Sequence, residues 1–252
     1  MERFYGLLRR NLKRRMTDGF AFGYNIVFPL VLIGVLGVLL RGSFPEQITS
    51  YQYYAVVMIP FCTCMGVVTI MYAGKEDAFA KTGERVMMTP VSKVEIVSTK
   101  VFAGTLILGG CACLVYAVAR GFFGLPGEGM AEILLFYFLL SFAVSGVGTF
   151  LGIAMKNFMV LKNVVTIPIS ILGVMAGVFF RVGSSSLVVE RILSCSFLRW
   201  GNKALFLAMY DGDGTLLRRI SVICVCIGSI SMLGAVKRFR KEEYIYGDLP
   251  SA

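Results

Sequence analysis

Six apolar runs, each about as long as a bilayer's hydrocarbon is thick, constrain this chain more than any other feature. They cover residues 20–40, 51–73, 94–119, 131–155, 164–180 and 220–236. About 20 apolar residues suffice to cross the hydrocarbon as a helix. Backbone groups there must satisfy one another, and an α-helix does so within a single segment. The expected fold is therefore all-α and integral to the membrane, with six transmembrane helices. Composition agrees. Of 252 residues, 57% are hydrophobic and 16% charged, against roughly 45–50% apolar and about 25% charged in soluble domains. Little is left for a water-soluble domain.

Between the second and third runs lies the longest polar interruption of the first two-thirds of the chain, KEDAFAKTGERVMMTPVSKVEIVSTK, residues 75–100. A mixed-charge segment between apolar hairpins belongs in water or at the membrane surface. Ala78, Phe79, Thr82, Val86 and Met87 recur at helical spacing, with Asp77, Lys81, Glu84 and Arg85 between them. Pro90 then ends the helix, because it offers no amide proton and disfavours helix in the residue before it. The expectation is a short amphipathic helix, a turn over Thr89-Pro90-Val91-Ser92, and a new helix entering the membrane.

Charge placement sets the topology. The net charge of +10 is compatible with nucleic acid or anionic lipid, but the basic residues cluster at the ends of apolar runs. They fall in residues 3–15, 75–100, 156–162 and 237–241, alternating with the loops at 41–50, 120–129 and 181–218. Six spans with both termini cytoplasmic satisfy the positive-inside rule at every short loop. Residues 1–18 form a basic amphipathic helix, with Phe4, Leu8, Leu12 and Met16 on one face and Arg9, Arg10, Lys13 and Arg14 on the other. Such a helix lies on anionic lipid. No cleavable signal peptide is expected, since the following apolar run is too long for one.

Within the runs, Asn25 is the one strongly polar residue of the first span. Pro60 is expected to kink the second. Glycines 104, 109 and 110 in the third span allow close helix approach, and Ser141, Ser145, Gly146 and Gly148 form a small-residue face in the fourth. Lys156-Asn157 through Lys162-Asn163 read as a short basic loop, and Pro168, Gly173 and Gly177 break the regularity of the fifth span. Residues 181–218 read as an external amphipathic segment made of turns rather than a seventh span. Asp211-Gly212-Asp213-Gly214 reads as a turn, and residues 242–252 as a cytoplasmic tail.

The six-run pattern and the 75–100 stretch resemble ABC-2 type transporter permeases. The matching residues are Glu76 or Asp77, Gly83, Arg85-Val86-Met87-Met88, Pro90-Val91-Ser92 and Lys100. A second match is Asn163, Pro168 and Ala176-Gly177-Val178-Phe179-Phe180. The chain departs from the family pattern at Glu84, where Thr is usual, and at Arg181, where Pro is usual. The resemblance implies that residues 1–18 are the elbow helix, that residues 19–241 are the six-span transmembrane domain, and that residues 75–93 hold the coupling helix. It implies a separate nucleotide-binding ATPase subunit that binds ATP and magnesium, and a second permease, as homodimer or heterodimer. Glu76, Asp77, Gly83, Glu84, Arg85 and Pro90 would then couple to the ATPase, and Asn25, Pro60, Pro168 and Gly177 would line the substrate pathway. The implied function is ATP-driven export, across a bacterial plasma membrane, of an amphiphilic drug, peptide or lipid.

Other chemistries find little footing. No G-x-x-x-x-G-K-[ST] loop occurs, so the chain carries no ATPase motif of its own. There is no His, and Asp and Glu avoid the span centres, so neither an intramembrane enzyme nor a cofactor or metal site in this chain is expected. The pairs Cys62/Cys64, Cys111/Cys113 and Cys224/Cys226 lie inside apolar runs. Residues two apart on a helix face different ways, so these cysteines read as packing. The alternative reading is a polytopic membrane protein of another class, a secondary carrier or an anchoring or sensing subunit.

Overall fold

The structure, a computed structural model, describes residues 2–42, 48–79, 91–154, 158–179, 191, 193 and 196–240. Its helices are α1 (Glu2–Met16), α2 (Gly19–Leu39), α3 (Ser50–Met65), α4 (Val67–Phe79), α5 (Lys93–Phe123), α6 (Met130–Ala154), α7 (Phe158–Met175), α8 (Phe197–Tyr210) and α9 (Thr215–Arg238). No strand occurs among the described residues.

The helix ends follow local chemistry. Asp18 caps α2, accepting from the amides of Phe20 and Ala21. Thr49 and Gln52 form a reciprocal capping box at the start of α3, and Ser92 and Glu95 form another at the start of α5. Gly124, at φ 64°, closes α5 in the left-handed conformation glycine tolerates. Thr215 donates its amide and its hydroxyl to Asp213 ahead of α9, which holds the Asp213 carboxyl below the usual carboxylate range.

Among the described residues, five helical segments are long and apolar enough to cross a membrane: Gly19–Leu39, Ser50–Lys75, Lys93–Phe123, Met130–Ala154 and Thr215–Arg238. The sixth expected span is a shorter apolar helix, Val160–Met175. The expected fifth run loses length because the chain leaves the helix after Met175, and Gly177 sits at φ 73°. The same helix starts earlier than expected, so Lys162 and Asn163 lie in its first turns rather than in a basic loop. The segment beyond it also differs from expectation. Residues 197–210 form one helix with Leu198, Gly201, Asn202, Ala204, Leu205, Ala208 and Met209 buried along one face. At about 1.5 Å per residue it is too short to span.

Pro60 does not end its helix. Regular helix runs through it, and the interruption falls six residues later at Gly66, which separates α3 from α4. The helix thus continues through the proline expected to kink it, and its one interruption in this span is at Gly66. The α3–α4 span is the interior of the subunit, 94% of its most apolar window being buried, whereas the corresponding windows of α2 and α9 are 22% buried. Their exposed residues, among them Val31, Val35, Val38, Val222, Ile230 and Leu233, suit lipid.

α6 is the packing centre. Its small residues let backbones touch, as in other membrane bundles. A Cβ on Gly146 would lie 2.7 Å from the Gly228 carbonyl oxygen of α9. One on Gly152 would lie 2.5 Å from the Met71 carbonyl oxygen of α4. At the other end of the bundle, the buried Ser50 hydroxyl donates to the Gly37 carbonyl at 2.7 Å and joins α2 to α3. Ser50→Ala is expected to cost about 1 kcal/mol, a fall of about 2–4 °C in the melting temperature of detergent-purified protein.

Candidate functional site

Two groups of residues stand out, one where α4 leads into the polar 80–90 segment and one inside the bundle around Asn25.

At the first, Glu76 and Asp77 fall in the last turns of α4. Gly83, Glu84, Arg85 and Pro90 lie outside the described residues. The helices on either side of that segment are bound to each other. Lys100, 6% exposed, extends from the second turn of α5 and donates to two carbonyls of α4, Ala73 at 3.2 Å and Gly74 at 3.1 Å. Gly74 is also where α4 meets α6, since a Cβ there would lie 3.2 Å from the Gly152 Cα. The exit of α4 is thus held from two sides. Residue 99 ties α5 to the N-terminal helix, its hydroxyl accepting from the Asn11 side-chain amide at 3.2 Å. The rings of Phe4 and Phe102 meet edge to face at 6.4 Å. Leu7, Val91, Ile96, Val97, Ala235 and Phe239 fill the space between α1, α5 and α9. This end of the bundle therefore gathers the basic residues of α1 with Lys93, Lys237 and Arg238.

The second group centres on a defect in α2. Residues Gly23–Val27 form a π-helical turn, in which the Phe28 amide reaches back to the Gly23 carbonyl. Such insertions occur often at functional sites. Asn25 is buried at its centre. Its amide donates to the Ala21 carbonyl at 2.7 Å, while its Oδ1, also buried, finds no donor among the described residues. A Cβ on Gly66 would lie 2.9 Å from that oxygen, so the irregular turn of α2 faces the break between α3 and α4. A small cavity opens beside it, lined by Asn25, Pro29, Ile59, Cys62, Thr63 and Leu108, among others. Its volume of about 10 Å³ suits one water molecule.

The remaining pathway residues are spread out. Pro60 is buried next to the cavity-lining Ile59. Gly177 is buried near the start of α3, where its carbonyl accepts from the Tyr53 hydroxyl at 3.0 Å. Pro168 sits on the exposed face of α7 with Val164, Ile167 and Ile171. Of the four, Asn25 lines the cavity and Pro60 does not, although its chain neighbour Ile59 does, and Gly177 and Pro168 lie elsewhere. The C-x-C cysteines behave as helical geometry requires: Cys224 is buried and Cys226 exposed.

Sequence reasoning passed over Lys100 as a site and noted it only within the motif. The signal was present, because a lysine seven residues into an apolar helix is costly unless partnered. The π turn and the Gly66 break had no such signal.

No curated protein matches the chain significantly. The family model for the ABC-2 type transporter matches residues 2–210, most of the chain, including Asn25, Glu76, Asp77 and Lys100. The polytopic helical bundle, the polar segment between its second and third apolar runs and this match agree, and the chain belongs to the ABC-2 type transporter family as a membrane permease.

Proposed function

We propose that the chain is the membrane-spanning subunit of an ATP-driven exporter, taking its energy from a separate ATPase subunit through the segment that joins α4 to α5. The observation that carries this reading is the double anchorage at Gly74, with Lys100 of α5 on one side and Gly152 of α6 on the other. A push on residues 76–92 is then delivered to three helices at once. ATP and magnesium are held by the partner, and Glu76, Asp77, Gly83, Glu84, Arg85 and Pro90 couple to it. The basic end of the bundle, with both chain termini, lies in the cytoplasm of a bacterial cell, as the positive-inside rule requires. A second permease completes the pathway, and the apolar interior favours an amphiphilic cargo such as a drug, peptide or lipid.

The test is co-purification from mild detergent followed by mass spectrometry. A stoichiometric ATPase, lost when residues 76–92 are mutated, is the expected result. A chain that emerges alone, or only with partners lacking nucleotide-binding motifs, overturns the reading.

Asn25 gives a separate prediction. In this reading its unpartnered oxygen receives a hydrogen-bond donor from the cargo as the π turn and the Gly66 break rearrange. Asn25→Leu removes a buried acceptor without removing volume, so the melting temperature is expected to hold or rise. Transport is expected to fall by about tenfold for cargo carrying a hydroxyl or amine, one lost hydrogen bond being worth about that much. Transport at the wild-type rate would remove Asn25 from the pathway.

A further inference from the structure

Lys100 reaches across to the one helix whose far end enters the polar segment. It starts roughly 10 Å along α5 from Lys93, and its amine is buried between helices. Both of its described acceptors, Ala73 and Gly74, are main-chain carbonyls of α4. A side chain there as mere packing has no need of donors, and a methionine would fill the same space. A donor group on backbone oxygens does something different: it fixes the axial register of α4 against α5, because carbonyls recur along a helix and the amine must choose among them. The two carbonyls chosen are the last described ones before Lys75, where α4 leaves the tightly buried part of the bundle. On the other side of Gly74, α4 packs backbone to backbone against Gly152 of α6, so Lys100 is the polar tie between α4 and α5 at this level.

We propose that Lys100 is a positioning residue for energy coupling, a pin that makes α4 and α5 move as one body when the intervening segment is pushed. This rests on the permease reading above and goes beyond it, since coupling by the polar segment alone requires no fixed register between the helices it joins. Without the pin, displacement of the segment is absorbed as sliding of α4 along α5, and hydrolysis continues without transport.

The experiment uses the permease co-purified with its ATPase and reconstituted in vesicles, with transport and hydrolysis measured on the same preparation. Lys100→Met is expected to keep hydrolysis within about twofold of wild type while transport per ATP falls about tenfold or more, the split expected of a lost coupling element rather than a lost fold. Lys100→Arg, which keeps the donors, is expected to restore a substantial part of that ratio. An unchanged transport-to-hydrolysis ratio in Lys100→Met overturns the proposal, as does a parallel loss of both activities that Lys100→Arg does not reverse. Should Lys100→Met fail to fold, a second measurement decides. Spin-labelled amino acids at the exposed positions Tyr72 and Phe102 report the α4–α5 distance in the wild-type background. An unchanged distance between nucleotide-free and ATP-trapped states supports the pin, and a change of more than about 2 Å, the scale of a helix shift, overturns it. Wild-type vesicles that show no ATP-dependent transport of amphiphilic cargo would overturn the ATP-driven exporter reading, and the pin with it, before any variant is read.

Discussion

Gly152→Val is expected to leave almost no folded protein in the membrane fraction. The first carbon added at this position would sit 2.5 Å from the Met71 carbonyl oxygen and 3.3 Å from the Gly74 Cα, both backbone atoms of α4. Backbone in a buried helix cannot swing aside as a side-chain tip can, so α4 and α6 must separate. Overpacking of this kind typically costs about 1–3 kcal/mol, and the two further carbons of valine push into the same crossing. Gly152→Ala is expected to fold with a clearly lowered melting temperature. Gly110→Ala, in α5, is the matched control, because nothing lies within 4 Å of its added carbon. The same chemical change there is expected to be neutral or slightly stabilising, since alanine loses less backbone entropy in a helix than glycine. Gel filtration of detergent extracts and thermal melting measure all three. A Gly152→Val protein with a wild-type elution profile and melting temperature would show that α4 and α6 do not cross at this point.

Gly83→Pro combined with Glu84→Lys is expected to abolish coupling while sparing the membrane domain. Proline inside a helix removes a hydrogen bond and clashes with the preceding turn, at about 3 kcal/mol or more, so the amphipathic helix read over the segment would break at its centre. The lysine reverses the charge offered to the partner. Both substitutions lie in the polar segment, away from the Gly74 anchorage, so the purified variant is expected to melt as wild type does. Stimulation of the ATPase and transport are expected to fall together by about tenfold or more. A variant that keeps both would refute the assignment of Gly83 and Glu84 to coupling. This pattern separates the segment from Lys100, whose loss is expected to spare hydrolysis.

The class of the fold was legible because hydrocarbon admits so few solutions. Long apolar runs must be helices, and the runs at 94–119 and 131–155 appear as α5 and α6 with ends shifted by a few residues. The caps at Ser92 and Gly124 show why the ends of α5 fall where they do, as Thr49 does for the start of α3. The fifth run was legible in part: Gly177 is expected to break its regularity, but apolar composition is indifferent to whether the last residues continue the helix. Residues 176–179 are apolar enough to continue the span, yet the chain turns at Gly177, where the Tyr53 hydroxyl donates to the Gly177 carbonyl. That stabilising contact comes from a residue 124 positions away. At Pro60 the sequence marks an expected kink, not the break that follows it. A proline marks a lost hydrogen bond, but tight burial of α3 on every side holds the helix through it, and the chain breaks at Gly66, where lack of a side chain leaves room for Leu108 and the Asn25 oxygen.

What the sequence by itself determined is the solvent. Apolar length, charge at the run ends and the polar 75–100 stretch place the chain in a membrane and mark the segment that belongs in water, because the cost of charge in hydrocarbon is a local property of each residue. What only the tertiary structure decided is which backbones touch. The π turn of α2 facing Gly66, the Gly74–Gly152 crossing and the reach of Lys100 to Ala73 and Gly74 each depend on two distant segments meeting in one register. Close packing between helices is a property of pairs, and no single run of residues specifies its partner.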